Sequence, residues 1–416
     1  MNPQSFAIFI DNISCALCVT VQEERFNRRF VRLLLGYRIF RSFAFGYISF
    51  VLPLYLRFIG MSYIEMGAYA LVATIASAAL STVSGFLGDF YGRKRMLMLL
   101  SLLFPAMMLL LLLVHSTAGI FITSLLGVSF TGGIGGGSGG GPIAPLQTSL
   151  LADMTAPGTR TGAFSFLMSA AVISALSGSL FSAFLSAFLS RSVYFTALFL
   201  TGLVSSLVSL LFVVVMKFRD APAEKGSSVA PVKSTYGISR IALSGLFGSA
   251  GLGMIMPFIP VWFSDIMHAT NGEISLIYSL SYLVTALSVL LASRVENIMG
   301  SIKGIAAFRG LSSILLIAIP FSGSIPAAAL LFIVRTGMYS MTIPLRQSFS
   351  MQLFDPAERA RGAGITGIAR RIPFGVAASL SGVLFAIGVS ALAFASAGVI
   401  SAFDPVLYFL FFRDKS

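Results

Sequence analysis

The sequence predicts an all-α membrane protein of twelve transmembrane helices arranged in two pseudo-symmetric six-helix halves. Three observations carry this. Apolar stretches near 20 residues recur along the whole 416-residue chain, basic residues gather at alternate ends of those stretches, and the second half repeats features of the first.

Composition excludes a soluble fold. The chain is 56% hydrophobic and 10% charged, where a soluble domain is about one quarter charged. Each apolar stretch is long enough to cross roughly 30 Å of hydrocarbon. A net charge of +13 would suit nucleic acid if it formed one face or stripe. Here Lys and Arg punctuate the apolar runs instead, so no nucleic-acid partner is expected. Cys15 and Cys18 make a C-x-x-C spacing, but a zinc site needs two further ligands. His115 and His268 fall in expected outer loops, so neither a metal nor a cofactor is expected. Residues 1–22 place no basic segment ahead of an apolar run, which argues against a secretory signal.

The spans read as 33–58, 64–87, 96–114, 119–152, 161–189 and 193–216 in the first half. Those of the second half read as 238–263, 274–293, 304–322, 326–353, 362–388 and 391–412. With the N-terminus inside, 19 basic residues from Arg25 to Lys415 are cytoplasmic and only Arg57 and Arg191 lie outside. That bias predicts a multi-pass protein of the cell membrane with both termini in the cytoplasm. The segment KFRDAPAEKGSSVAPVKSTY interrupts the spans near the middle and reads as a flexible linker. The expected organisation is a tail 1–32, a half 33–216, a linker 217–237, a half 238–412 and a tail 413–416. Span four is too long for a straight crossing and carries the glycine run 132–141. Such glycines allow close helix contact or an unwound segment.

The halves repeat at matching places. PLQTS from Pro145 returns as PLRQS from Pro344, and Pro157 and Arg160 return as Pro356 and Arg359, all 199 residues on. Glu65 and Gly92 return as Glu273 and Gly300, 208 residues on, and VLPLYL around Pro53 echoes IMPFIP around Pro257. A repeat of six-helix units predicts two rocking bodies with a solute site between them near the midplane.

Between spans two and three, Gly85 to Arg95 read GFLGDFYGRKR. Gly85 and Gly88 permit close helix approach, Gly92 permits a left-handed turn, and Asp89 can bond basic partners at the membrane edge. Arg93, Lys94 and Arg95 would stay in the cytoplasm. This loop resembles the signature of the major facilitator superfamily, and with the twelve spans and the linker the resemblance covers about residues 33–412. It implies a transporter working by alternating access, in which Asp89 and Arg93 belong to a latch that holds the halves in the outward-open state. The second copy, SRVENIMGSIKG, keeps Glu296, Gly300 and Lys303. Two family markers linked with proton-coupled drug export are missing. FITSLLGVSF in span four lacks the expected Arg before Gln-Gly, and SALSGSLFSAF in span five lacks the expected Gly-Pro.

Seven basic residues fall within spans: Arg38, Arg41, Arg309, Arg335, Arg346, Arg370 and Arg371. A charge in hydrocarbon is costly, which makes each a functional candidate. Arg38, Arg41 and Arg309 lie within about two turns of the cytoplasmic ends, where they can also snorkel to water. Arg335 and Arg346 share one face of span ten, within about 20° and about 16 Å apart. The resemblance implies that spans one, four, seven and ten line the cavity, where Gln147 of span four matches Arg346 of span ten. The expected substrate pathway is Gln147, Arg335, Arg346, Arg370, Arg371 and Arg41, with structural pairing as the alternative for the arginines.

Acids within the spans are few. Ser62 and Thr270, three residues ahead of Glu65 and Glu273, form capping boxes. Asp404 precedes Pro405, which suits an N-cap in a kinked span twelve, and it is also the best candidate proton site. The pathway is therefore expected to be electropositive, and arginine binds carboxylates and phosphates in a bidentate way. The expected substrate is a small, anionic solute, with a proton as candidate coupling ion; the alternative is a multidrug/proton antiporter. The protein is expected to work as a monomer in the lipid bilayer. Neither H-E-x-x-H nor paired intramembrane acids occur, so it is not expected to be an enzyme. A sensor on the same fold would bind a ligand without counterflow.

Overall fold

The computed structural model describes residues 28–129, 141–143, 146, 147, 150, 160–216, 235–353 and 359–413. It gives side chains for all of these except 28–31, 85–91, 93, 160–165, 235, 351, 352 and 359–365. The tail cysteines, nearly all of the glycine run and the core of the linker lie outside the described residues.

The described residues are almost entirely helical and contain no strand. Span one is Arg28–Phe58, two is Tyr63–Tyr91, three is Arg93–Ser101 continued by Leu103–Leu113, five is Arg160–Phe188 and six is Arg191–Val215. Span seven is Thr235–Ile255 followed by Ile259–Asp265, eight is Asn271–Met299, nine is Ser301–Ala318, ten is Ile325–Leu353, eleven is Arg359–Ala386 and twelve is Ser390–Phe412. Eleven of these helical stretches are long and apolar enough to cross a membrane. Span four is described at its start, Thr117–Ile122 and a 3-10 turn Thr123–Leu126. It closes on Gly127 in the left-handed region at φ +65°.

Local chemistry sets the ends of these helices. Spans two and eight both open on a capping box, Ser62 with Glu65 and Thr270 with Glu273. Each glutamate accepts from the cap N–H, at 2.7 and 2.8 Å, so these acids serve helix ends. At the opposite ends, Gly92 and Gly300 take φ of +93° and +78°, a region that costs a side chain but not glycine. The prolines diverge: Pro53 lies inside a continuous helix, whereas span seven breaks between Ile255 and Ile259, around Pro257.

The two halves meet as symmetric copies would. Spans two and eleven run along one another, as do five and eight. Gly67 packs on the Ala378 backbone, and the Ser179 hydroxyl donates to the Ser275 carbonyl at 2.9 Å. Adding 208 to Gly67 gives Ser275 and adding 199 to Ser179 gives Ala378, so these are one contact seen twice. Ser279 and Ser182 extend the seam of five and eight, bonding Ser179 at 2.9 Å and Ser275 at 3.0 Å. Near the Arg57 end the halves are sealed by aromatic packing. Phe50 lies 4.6 Å from Tyr278 and Phe258 lies 4.9 Å from Phe385, ring centre to ring centre, and Ser49 bonds the Tyr282 hydroxyl at 3.2 Å.

Candidate functional site

Most of the buried charge among the described residues lies in the second half. Asp404 of span twelve is the only buried carboxylate among the described residues. Its Oδ2 accepts from the Arg309 guanidinium of span nine, and both of its oxygens accept from Arg346 Nη1 of span ten at 3.0 Å. Arg309 Nε donates to Thr342 at 2.9 Å. Arg346 Nη2 donates to the Ile241 carbonyl at 3.1 Å and to Ser244 at 3.0 Å in span seven. The Arg309 guanidinium also lies 4.7 Å from the Tyr339 ring centre, and that of Arg346 lies 5.3 Å from Tyr408. Four helices are thus tied together by one carboxylate and two guanidiniums, and breaking such a pair strands a charge.

Two expectations change here. Asp404 is not an N-cap, because span twelve runs unbroken from Ser390 to Phe412 through Pro405. Its place is fixed by two arginines that a sequence window around residue 404 cannot show. Arg309 does not snorkel either: it is 4% exposed, held inward by its partner on span twelve.

Arg335 lies one level away on span ten. It is 4% exposed, makes no hydrogen bond or ion pair with any described residue, and places its guanidinium 5.3 Å from the Tyr339 ring centre. It lines a cavity of about 10 Å³ together with Arg309, Asp404, Ser312, Ser401 and Gly248. Arg335 and Arg346 therefore look into the interior of the second half, toward spans nine and twelve.

The adjacent arginines of span eleven part company. Arg371 crosses to the first half, donating to the Ser77 carbonyl at 2.8 Å, to Ser81, and to the Gly141 carbonyl at 3.0 Å. Arg370 stays exposed and forms no hydrogen bond or ion pair with a described residue. Its aliphatic chain passes over Gly245 of span seven, where a Cβ would meet both that chain and Arg346 Nη2 at 3.0 Å. Glycine at 245 is what lets two cations share one helix face.

In the first half, Arg41 is 2% exposed and sits 4.8 Å and 5.4 Å from the ring centres of Phe45 and Phe104. The snorkelling expectation fails for it, because its own helix and span three enclose it. Arg38 is half-buried, with an Nε that finds no acceptor. Gln147 is 4% exposed, and neither amide atom has a partner. The repeat offsets expose an asymmetry. Ser101, Gln147 and Ser205 occupy the places held by Arg309, Arg346 and Asp404 in the second half. Ser205 donates to the Phe40 carbonyl at 2.6 Å, and Asp404 packs on the equivalent Gly248.

Of the expected latch, Gly85, Gly88 and Asp89 lie in the last turns of the span two helix, with the Asp89 and Arg93 side chains outside the described residues. Lys94 donates to the Val214 carbonyl at 3.3 Å, and Arg95 is exposed. At the other face Arg57 Nε meets Asp265 Oδ2 at 2.7 Å, and the Tyr63 hydroxyl donates to the same oxygen at 2.9 Å. Sequence reasoning missed this pair, although 57 and 265 differ by the repeat offset of 208. It also passed over Tyr339 and Ser401, whose part depends on packing between helices distant in sequence. A second open space, about 740 Å³ between spans one, five and six, is walled by apolar groups such as Ile173, Leu200 and Val204.

The family model of the Major Facilitator Superfamily matches residues 34–238 and again 241–416. No curated relative matches the sequence. Among solved structures, the human organic anion transporter MFSD10 (TETRAN) is similar at a TM-score of 0.65 and 14% identity, over 93% of this chain and 100% of that one. The nucleoside transporter NupG is similar at 0.70 and 14%, over 92% and 99%. An auto-inhibited peptide transporter of the POT family is similar at 0.71 and 11%, over 92% and 97%. These likenesses show the fold, and the family model matching both halves settles the kinship: the chain belongs to the major facilitator superfamily of membrane transporters.

Proposed function

We propose that the protein is a secondary transporter that carries a small anionic solute across the cell membrane by alternating access. The halves 33–216 and 238–412 rock about the linker 217–237, both termini lie in the cytoplasm, and the Arg57 face is the outer one. The observation that carries the solute class is the charge of the second half. Arg309, Arg335, Arg346 and Arg370 stand near the single carboxylate of Asp404. Four positive charges against one negative leave an excess of three. Arg370 is the accessible member, with a guanidinium suited to bidentate capture of a carboxylate or phosphate. Arg309 and Arg346 tie spans nine, ten, twelve and seven together beside it.

The proton-antiport reading needs a carboxylate free to release and take up a proton during the cycle. Asp404 is engaged on both oxygens by arginine, which supports a structural role. The Asp89 and Arg93 latch remains the proposed device at the cytoplasmic face. A thermal-shift panel of purified protein tests the solute class, because a ligand that binds only the folded state raises apparent stability. Stabilisation by small carboxylates or phosphates, lost in Arg370→Gln, is expected. Stabilisation by lipophilic cations alone would overturn it.

A further inference from the structure

The cavity beside Arg335 is too small for any organic solute. About 10 Å³ is room for one water-sized particle. Its wall is nevertheless highly charged. Arg309 and Arg335 contribute two positive charges and Asp404 one negative, which leaves one positive charge unbalanced. Arg309 is committed to Asp404 and Thr342, whereas Arg335 has neither acceptor nor counter-charge among the described residues. It is 4% exposed. An isolated buried guanidinium is one of the costliest groups a fold can hold, and the ring of Tyr339 at 5.3 Å offsets only a small part of that cost. A second orphan faces the same space, for the Ser401 hydroxyl is buried and unpartnered.

A single small anion answers all of these at once. We infer that the cavity between Arg335, Arg309 and Ser401 is a binding site for one monovalent, monatomic anion of the chloride class. The guanidinium of Arg335 supplies the charge, and the Ser401 hydroxyl donates to the ion from span twelve. Asp404 also stands on the wall, and its repulsion is met by the two arginines that already hold both of its oxygens. The site ties span ten to spans nine and twelve, inside the second half and apart from Arg370. It goes beyond the proposed solute pathway, and it stands whether the carried solute is an anion or not.

The test uses the full chain purified in detergent, with sodium chloride replacing sodium isethionate at constant ionic strength, a sulfonate too large for the cavity and neither carboxylate nor phosphate. The expected result is a saturable rise of a few degrees in melting temperature, absent in Arg335→Gln. Ser401→Ala, which keeps every charge, should need severalfold more chloride for the same rise. Crystals soaked in bromide should show one anomalous peak beside Arg335. No chloride dependence in the wild type would overturn the inference and leave a water molecule in the cavity. So would an equal rise in Arg335→Gln, which would place the ion elsewhere. The two readings fail separately, because chloride stabilisation is lost in Arg335→Gln and kept in Arg370→Gln, whereas stabilisation by the carried solute is lost in Arg370→Gln.

Discussion

Arg57 and Asp265 hold the same position in the two halves, 208 residues apart, and bond each other at 2.7 Å. Equivalent positions touch only beside the axis that relates the copies, so this pair marks where that axis leaves the bundle. A strict copy would bring like charges together there. Divergence to opposite charge turns that meeting point into a clasp across the face, which the Tyr63 hydroxyl supports.

Symmetry makes the clasp reversible on paper. Arg57→Asp alone should open this face, and adding Asp265→Arg should close it again. Both side chains are partly exposed, so the pair is worth at most about 1 kcal/mol and the open population should rise by up to about fivefold. Labelling of Ser49→Cys by an impermeant maleimide, with Cys15 and Cys18 replaced, reads that population. An unchanged labelling rate would mean that the aromatic seal alone closes the face.

Asp404→Asn should lose about 3–5 kcal/mol of stability, since it strands Arg309 and Arg346 in the interior. Asp404→Glu should recover part of that loss. The comparison is made by denaturant or thermal unfolding beside a transport assay. An Asn variant as stable as the wild type that has lost only its response to a pH gradient would restore Asp404 as a proton carrier.

The capping glutamates Glu65 and Glu273 offer the opposite case. Gln fills the same place in a capping box, so Glu65→Gln and Glu273→Gln should leave stability and transport nearly unchanged. Ser62→Ala and Thr270→Ala should each cost about 0.5–2 kcal/mol of helix stability. Loss of transport in the Gln variants would show that these carboxylates handle protons or solute.

Much of the fold was legible because hydrophobic runs and the positive φ of turn glycines are local properties. Both capping boxes and the Gly92 and Gly300 turns fall where the spacing put them. The site was legible only as residue types. The arginines of spans nine to eleven could be singled out as costly, but whether each pairs, bridges or stays free depends on neighbours about 30 to 290 positions away. Arg370 and Arg371 show this: adjacent in sequence, one bonds the first half and the other does not. The repeat offsets also match Arg57 with Asp265 and set Ser101, Gln147 and Ser205 against Arg309, Arg346 and Asp404.

The central claim is tested most directly by counterflow into proteoliposomes of a small anion identified by the thermal panel, with Arg370→Gln as the variant. Loss of one charge-assisted contact of about 1.5–3 kcal/mol predicts at least a tenfold fall in anion flux with the melting temperature unchanged, and no flux of cationic dyes in either protein. Full anion flux in Arg370→Gln, or cation flux driven by a proton gradient in the wild type, would contradict the account.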